Sequence, residues 1–241
     1  MSGDNTDGRL DGRVALISGA GRGIGLAIAQ SLAARGASVV IADNGGDVAG
    51  SDPDPSVAES AAAEIGDNAV AFTGSIASAD GARAAVQCAT DSFGGLDILV
   101  NNAAILRDGF IFKSDPDDFR DVIETNLCGA WYLANAASPV MRAQAKAERG
   151  GAPYDWGRIV NITSSAGLYG NFGQSAYASA KSGMIGLTRV AAMDLGRAGI
   201  TCNAIAPFAA TRVTDMIVPA NDEQAAYKER ALKLSPDHVA T

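Results

Sequence analysis

A run of closely spaced glycines between an apolar segment and an alanine-rich segment constrains the fold of this chain most. Residues 13–18, Arg-Val-Ala-Leu-Ile-Ser, have the composition of a buried strand, and residues 19–25, Gly-Ala-Gly-Arg-Gly-Ile-Gly, follow at once. An alanine-rich helical pattern then continues to Ala34. Glycines allow a tight turn and a close approach to the backbone. The sequence therefore predicts a strand, a glycine turn and a helix in direct succession.

The same alternation continues along the chain. Further strands are predicted at residues 38–42, 69–72, 96–101, 158–162 and 201–206. Helices are predicted at residues 57–65, 80–93, 116–145 and 222–233, with another running through Tyr177 to about Gly196. Continuous apolar strands separated by amphipathic helices are typical of a parallel sheet covered on both faces. The predicted fold class is therefore α/β, a doubly wound parallel sheet with helices on both faces.

Length and composition indicate one domain. The chain has 241 residues, of which 47% are hydrophobic, and can bury one large core. Residues 1–9 are polar and predict a flexible N-terminal tail, so the domain is expected to span residues 10–241. Ser235-Pro236-Asp237 has the pattern of a helix start shortly before the last residue. The C-terminal end of the domain is therefore expected to be truncated or missing.

Charge and residue types exclude several classes of function. The net charge is −8, and lysines and arginines are scattered, which argues against nucleic acid as a partner. The sequence contains no run of about 18 apolar residues, so no membrane segment is predicted. The polar N-terminus predicts a cytoplasmic protein. One histidine and three widely spaced cysteines do not form a metal-ligand pattern. No metal site is predicted.

The glycine turn is a candidate phosphate site. Gly19, Gly23 and Gly25 lie between a predicted strand and a predicted helix, whose first backbone N–H groups can bind a pyrophosphate. A purely structural turn is the alternative, although such a turn needs fewer glycines. Asp43 lies at the end of the second strand, where an acid accepts hydrogen bonds from a ribose 2′-hydroxyl. Asp43 favours NAD, whereas Arg22 in the turn favours the 2′-phosphate of NADP; Asp43 is more directly placed, so NAD is expected.

Tyr177 and Lys181 form a candidate acid/base pair. They lie four positions apart and share one face of a predicted helix. Lowering a phenol pKa from about 10 to about 7 requires roughly 4 kcal/mol of preference for the anion. An ammonium at about 4 Å and an effective dielectric of about 20 supplies a similar amount. The alternative is an ordinary solvent-exposed pair one helical turn apart.

Several motifs in order resemble those of the short-chain dehydrogenase/reductase family. After the glycine turn come Asn101-Asn102-Ala103, Asn126, Ser164, Tyr177 and Lys181, with Ser164 thirteen residues before Tyr177. The resemblance covers roughly residues 10–240. It implies a Rossmann-like fold, a nicotinamide dinucleotide cofactor, and a homodimer or homotetramer.

The resemblance also implies a role for each matching residue. Ser164 is expected to polarise the substrate oxygen and Tyr177 to act as acid and base. Lys181 is expected to hold the nicotinamide ribose and lower the Tyr177 pKa, and Asn126 to hold a water of the proton relay. Expected cofactor contacts, some of which follow from the glycine turn and Asp43 directly, are Gly19, Arg22, Gly23, Ile24, Gly25, Asp43, Ser75, Ile76, Asn102, Ala103, Tyr177, Lys181, Pro207 and Thr211.

Three loop stretches narrow the resemblance. Residues 43–47, 104–108 and 206–212 are similar to the dehydrogenase part of peroxisomal multifunctional enzymes, which oxidise 3-hydroxyacyl-CoA with NAD. The resemblance implies an acyl-CoA-type substrate. Alternatives are an NADPH-dependent 3-oxoacyl-carrier-protein reductase, a hydroxysteroid or alcohol dehydrogenase of the family, and a nucleotide-binding protein without activity. Residues 44–56 are expected to form an exposed loop, and residues 211–233 either a substrate lid or a helix that covers the sheet.

Overall fold

Six parallel strands form the central sheet. The computed structural model describes residues 8–146, 148–149, 152–153, 156–211, 214 and 222–240. The strands are β1 (Val14–Ser18), β2 (Ser38–Ala42), β3 (Ala69–Phe72), β4 (Ile98–Asn101), β5 (Gly157–Ile162) and β6 (Ile200–Ile205). Their order is β3-β2-β1-β4-β5-β6, and each neighbouring pair is parallel. The predicted doubly wound α/β fold is confirmed.

Helices connect the strands. They are α1 (Gly23–Ala34), α2 (Ser56–Ile65), α3 (Ala79–Phe93), α4 (Pro116–Ile123), α5 (Gly129–Gln144), α6 (Ser165–Tyr169), α7 (Ser175–Leu195) and α8 (Asp222–Leu232). A π-helical segment, Glu124–Cys128, joins α4 to α5, so the single helix predicted over residues 116–145 is interrupted. A short antiparallel hairpin, Glu148–Arg149 with Ala152–Pro153, precedes β5 and was not predicted.

Alternate residues of the strands enter two apolar cores. Leu16 and Leu99 belong to the core under α3 and α5, whereas Ile17 and Val100 belong to the core under α1 and α2. All residues of β1 are buried, as a central strand covered on both faces requires. The chain order reverses between β1 and β4, and in such sheets ligands bind in the crevice at the carboxyl ends of the strands.

The loop after β2 departs from the prediction. Residues 51–56 are exposed as expected, but Gly45 and Gly46 are buried. The Leu106 N–H donates to the Val48 carbonyl at 2.9 Å, which gives the loop backbone partners that an exposed loop would find in water. Residues 44–50 therefore form a strap that packs on the segment after β4, and the prediction of an exposed loop is wrong for this part.

The two chain ends differ in how much is described. Residues 1–7 of the predicted tail lie outside the described residues. So do residues 212, 213 and 215–221 of the segment 211–233, which was predicted to form either a substrate lid or a helix that covers the sheet. Near the C-terminus, Ser235 caps a 3₁₀ turn, Pro236–His238, and the Ser31 hydroxyl donates to the Ala240 carbonyl at 2.7 Å. Among the helices that the structure describes, none combines the length and apolarity needed to cross a bilayer.

Candidate active site

The glycine turn between β1 and α1 is braced by the segment after β4. Gly19 has φ of 65°, and a Cβ there would lie 2.7 Å from the Cα of Ala103. The Asn102 side-chain amide donates to the carbonyls of Ser18 and Gly19 at 3.0 and 2.9 Å. Asn102 was predicted to contact the cofactor. Its side chain holds the turn in shape while Ala103 packs directly on it, and the contact of Asn102 with the cofactor stays a prediction.

The first turn of α1 is open to an anion. Arg22 occupies the N-cap position without a side-chain cap, so the first backbone N–H groups, including that of Ile24, remain available. Gly23 has φ of 57°, and a Cβ there would lie 3.7 Å from the Thr211 methyl carbon. A Cβ on Gly25 would overlap the Gly19 carbonyl oxygen. The structure thus places Thr211 beside the turn, and its predicted contact with the cofactor stays a prediction.

A cavity of about 250 Å³ lies at the carboxyl ends of β1 to β4. It is lined by the glycine turn, the strap, and the segments after β3 and β4, which include Gly19, Asp43, Ser75, Ile76 and Ala103. The predicted contacts from four separate segments are therefore brought together. The Ile76 side chain itself is buried against α5, where a Cβ on Gly129 would overlap it.

Asp43 is held in one orientation at the edge of this cavity. One carboxylate oxygen accepts from the Gly21 N–H and the other from the Gly45 N–H, both at 2.8 Å. The Arg22 guanidinium donates to the Gly45 carbonyl at 2.7 Å, so it lies against the strap. A carboxylate beside an uncapped helix start fits the ribose and pyrophosphate of a dinucleotide. The residues present therefore fit the predicted cofactor.

The reactive side chains gather where β5 ends and α7 begins. The Ser164 hydroxyl lies near enough to the Tyr177 phenol to lower its pKa, and it accepts from the Ala166 N–H at 3.2 Å as the N-cap of α6. The Lys181 ammonium lies 5.7 Å from the centre of the Tyr177 ring. It is fully buried and donates to the Ile162 carbonyl at 2.7 Å. Three of the four predicted catalytic residues therefore form one cluster.

Close backbone packing sets the distance between Ser164 and Tyr177. A Cβ on Gly167, in the middle of α6, would lie 2.7 Å from the carbonyl carbon of Lys181. The Thr163 hydroxyl donates to the Lys181 carbonyl at 2.6 Å and ties the end of β5 to α7. Because only glycine fits at 167, α6 lies directly on α7 and carries Ser164 to the phenol.

The pKa of Tyr177 shifts in the direction opposite to the expected one. Burial raises it above its ordinary value, the neighbouring Ser164 hydroxyl lowers it, and the negative charge of Asp108 raises it further. Burial lowers the pKa of Lys181 from 10.5 to about 8. Lys181 is not among the causes of the Tyr177 shift, and its ammonium is directed to the Ile162 carbonyl, so the expected lowering of the Tyr177 pKa by Lys181 stays a prediction.

Asn126 lies in the π-helical segment and is buried. Its side-chain oxygen accepts from the Ile105 N–H at 2.8 Å, and its side-chain nitrogen donates to the Ile105 carbonyl at 2.9 Å. The side chain therefore fixes the segment after β4 rather than presenting itself to a water beside Lys181. The predicted role of Asn126 in a proton relay stays a prediction.

A sequence profile for the short chain dehydrogenases matches residues 13–225. This chain belongs to the short-chain dehydrogenase family. It is an oxidoreductase of the kind that acts on CH–OH groups, which confirms the resemblance inferred from its motifs. Among the residues that the structure describes, no group of side chains is suited to hold a metal ion.

Individual short-chain dehydrogenases support the narrower resemblance. The chain is 40% identical to a hydroxyacyl-CoA dehydrogenase of Mycobacterium tuberculosis, over 96% of this chain and 71% of that one. It is 40% identical to the peroxisomal multifunctional enzyme type 2 of Drosophila melanogaster, over 89% of this chain and 35% of that protein. It is also 39% identical to a 3-oxoacyl-[acyl-carrier-protein] reductase of Vibrio cholerae, over 89% and 80%. The crystal structure of a short chain dehydrogenase from Mycobacterium avium superposes with a TM-score of 0.78 at 39% identity, covering 97% of this chain and 76% of that one.

Two polar residues at this short-chain dehydrogenase site were not predicted. Asp108 accepts from the Gln174 side-chain amide at 2.8 Å, and the Gly109 N–H donates to the Gly173 carbonyl at 2.7 Å. These bonds join the segment after β4 to the start of α7, one turn before Tyr177. Pro207 and the partly exposed Phe208 follow β6. Asp108 contacts Gln174, three residues before Tyr177, but lies far from both in the sequence. No local sequence pattern therefore predicts this contact.

Proposed function

We propose that this short-chain dehydrogenase oxidises the C3 hydroxyl of a 3-hydroxyacyl-CoA with NAD. The observation that carries the proposal is the cluster of Ser164, Tyr177 and buried Lys181 at the end of β5, in a fold whose glycine turn leads into a helix start without a side-chain cap. Support for the thioester comes from the likeness to a hydroxyacyl-CoA dehydrogenase and to the multifunctional enzyme. The acyl group, whether fatty or steroid side chain, is the open part of the substrate.

Each residue of the cluster has a distinct task in this reaction. Tyr177 takes the proton of the C3 hydroxyl on its phenol oxygen, and in the reverse direction it returns that proton. Ser164, which lies beside the phenol, donates a hydrogen bond to the oxygen as it becomes a carbonyl. When bound, the nicotinamide ring supplies the hydride acceptor.

Lys181 contributes through its charge and its burial. With a pKa of about 8, it keeps most of its positive charge near neutral pH even though it is removed from water. An ammonium on the same helix face as Tyr177 stabilises the phenolate that forms during proton transfer. Lys181 would also hold the nicotinamide ribose, because its three donors exceed its one described acceptor, the Ile162 carbonyl.

The preference for NAD rests on Asp43. Its carboxylate faces the cavity from the end of β2 and would repel a 2′-phosphate at the ribose. The Arg22 guanidinium is already bonded to the Gly45 carbonyl, which reduces its value as a phosphate ligand. The remaining expected contacts, Ser75, Ile76, Ala103, Pro207 and Thr211, complete the proposed binding site.

We also propose that the protein is a homodimer or homotetramer. Large apolar side chains are exposed on α5 and α7, namely Trp131 (50% exposed), Val190 (56%) and Met193 (80%). Exposed apolar residues on two neighbouring helices are suited to a subunit interface.

A panel of reactions tests the proposal. Oxidation of NADH and of NADPH is followed by absorbance with short, long and steroid-bearing 3-oxoacyl-CoA, with an acyl-carrier-protein thioester, and with simple ketones. The proposal predicts the highest kcat/KM for NADH with a CoA thioester. A preference for NADPH with the carrier-protein thioester would support the reductase instead, and turnover of simple ketones or sugars without any thioester activity would refute the proposed substrate class.

A further inference from the structure

We propose that Arg107 positions the adenosine end of the cofactor by holding the strap, residues 44–50, closed over the cavity. The inference rests on the proposed use of a nicotinamide dinucleotide. Arg107 would not touch the reacting atoms. It acts through the strap, whose inner side forms one wall of the cavity beside Asp43.

The Arg107 side chain links three separate parts of the fold. It is only 25% exposed, and its Nε donates to the Ala49 carbonyl of the strap at 3.0 Å. One terminal nitrogen donates to Asp118 and Asp121 of α4 at 2.9 and 2.7 Å. Since α4 is anchored in the fold, these bonds tie the strap to a rigid element.

The strap and the segment after β4 both line the cavity. Gly46, Asp47 and Gly50 come from the strap, and Ile105 and Arg107 from the segment after β4. Gly50 has φ of 87°, and a Cβ there would lie 3.0 Å from the Ile105 Cγ2 atom. The two segments are therefore in close contact at this point, and the cavity keeps its shape only while the strap stays docked.

Backbone bonds also hold the two ends of the strap, since the Asp47 N–H donates to the Ser51 carbonyl at 2.8 Å and the Asp54 N–H to the Asn44 carbonyl at 2.9 Å. The Leu106 N–H donates to the Val48 carbonyl and links the strap to the segment after β4 beside Arg107. At its start the strap is held by the Asp43 and Arg22 bonds to Gly45. Loss of the guanidinium would remove the tie between the centre of the strap at Ala49 and α4, and leave the glycine turn intact.

The effect is expected to be selective for one half of the cofactor. Asp43 and the strap lie at the ribose of the adenosine half, whereas Tyr177 and Lys181 lie beyond the glycine turn at the end of β5 and the start of α7. Arginine suits this position because its planar fork bonds several acceptors in different directions, which a lysine ammonium on a flexible stem does less well. Arg107→Lys should therefore restore binding only in part.

The test measures binding to the full-length protein by calorimetry, without any thioester. The ligands are NADH, ADP-ribose, which carries the adenosine half, and reduced nicotinamide mononucleotide, which lacks it. If Arg107→Ala leaves the strap closed about one tenth of the time, the apparent affinity for NADH and ADP-ribose falls about tenfold. Affinity for the mononucleotide should stay unchanged, and Arg107→Lys should lie between Ala and wild type.

A matched arginine provides the control. Arg83 forms an exposed ion pair with Asp80 on α3, away from the cavity, and Arg83→Ala should bind all three ligands as wild type does. Equal affinity of Arg107→Ala and wild type for NADH would overturn the inference. So would a parallel loss for all three ligands, because it would show a general structural defect. Wild type that binds NADPH but not NADH would refute the proposed cofactor, whereas the Arg107 effect on ADP-ribose would still be measured separately.

Discussion

Replacing Gly167 by alanine should separate Ser164 from Tyr177 and leave the glycine turn undisturbed. The new Cβ would lie 2.7 Å from the Lys181 carbonyl carbon and 2.8 Å from the Ser182 nitrogen. Ordinary contacts begin near 3.4 Å, so α6 must move away from α7 by about 0.7 Å, the difference between 3.4 and 2.7 Å. Both opposing atoms belong to the backbone of a long helix and cannot rotate away.

This displacement reaches the reactive oxygen because Ser164 is the N-cap of α6 and moves with it. A misplacement of about 1 Å can lower the rate about 100-fold. We therefore expect kcat to fall roughly 10- to 100-fold, and stability to fall by about 1–3 kcal/mol from the forced contact. The dissociation constant for NADH should stay within about twofold of wild type, since the glycine turn lies elsewhere.

Steady-state rates, NADH titration and urea unfolding measure these quantities. Gly186→Ala is the matched control, because Gly186 also lies in a helix but a Cβ there has nothing within 4 Å. It should keep wild-type activity and gain about 0.5–1 kcal/mol of stability. Wild-type kcat and stability in Gly167→Ala would show that α6 does not depend on this contact, and the reasoning would be wrong.

Three further substitutions test the electrostatics of the site. Asp108→Asn removes a negative charge that raises the Tyr177 pKa, so the rise of kcat/KM for oxidation with pH should begin at lower pH; an unchanged profile would contradict this. Lys181→Met removes an amine whose pKa is 10.5 in the unfolded state and about 8 in the folded state. Between pH 8 and pH 10.5 the unfolded state therefore binds more protons. The free energy of unfolding of wild type should therefore rise by about 3 kcal/mol relative to that of Lys181→Met as pH rises from 8 to 10.5. The same pH dependence of unfolding in both proteins would exclude a buried ammonium. Asp43→Asn keeps the shape of the side chain but removes its negative charge, and should shift the ratio of NADH to NADPH affinity on the order of tenfold toward NADPH. An unchanged ratio would show that Asp43 is not the basis of the preference for NAD.

Features set by neighbouring residues were predictable from the sequence. The strand, glycine turn and helix of residues 14–34 follow from local composition, and the structure confirms them. The i to i+4 spacing of Tyr177 and Lys181 places both on one helix regardless of the rest of the fold. The parallel arrangement of the strands followed from the alternation of strands and helices, because parallel strands need helical crossovers.

Features set by contacts between distant segments were not predictable. The strap is held by Arg107, 58 positions after Ala49, and nothing in its own Gly- and Asp-rich composition indicates docking. The sequence held one hint of this contact, because two acidic residues spaced three apart, Asp118 and Asp121, follow soon after Arg107. Helix α6 is only five residues long, too short for a periodic signal. The Tyr177 pKa depends on burial and on Asp108, which spacing along one helix does not reveal.

The most direct test of the central claim compares wild type with Tyr177→Phe in the reduction of a 3-oxoacyl-CoA by NADH. Phenylalanine keeps the ring and removes the proton donor. The account predicts that turnover falls about 10²- to 10⁴-fold, the usual contribution of a general acid, while the dissociation constant for NADH stays near the wild-type value. Turnover retained in Tyr177→Phe, with NADH still bound, would show that Tyr177 is not the acid/base of this enzyme.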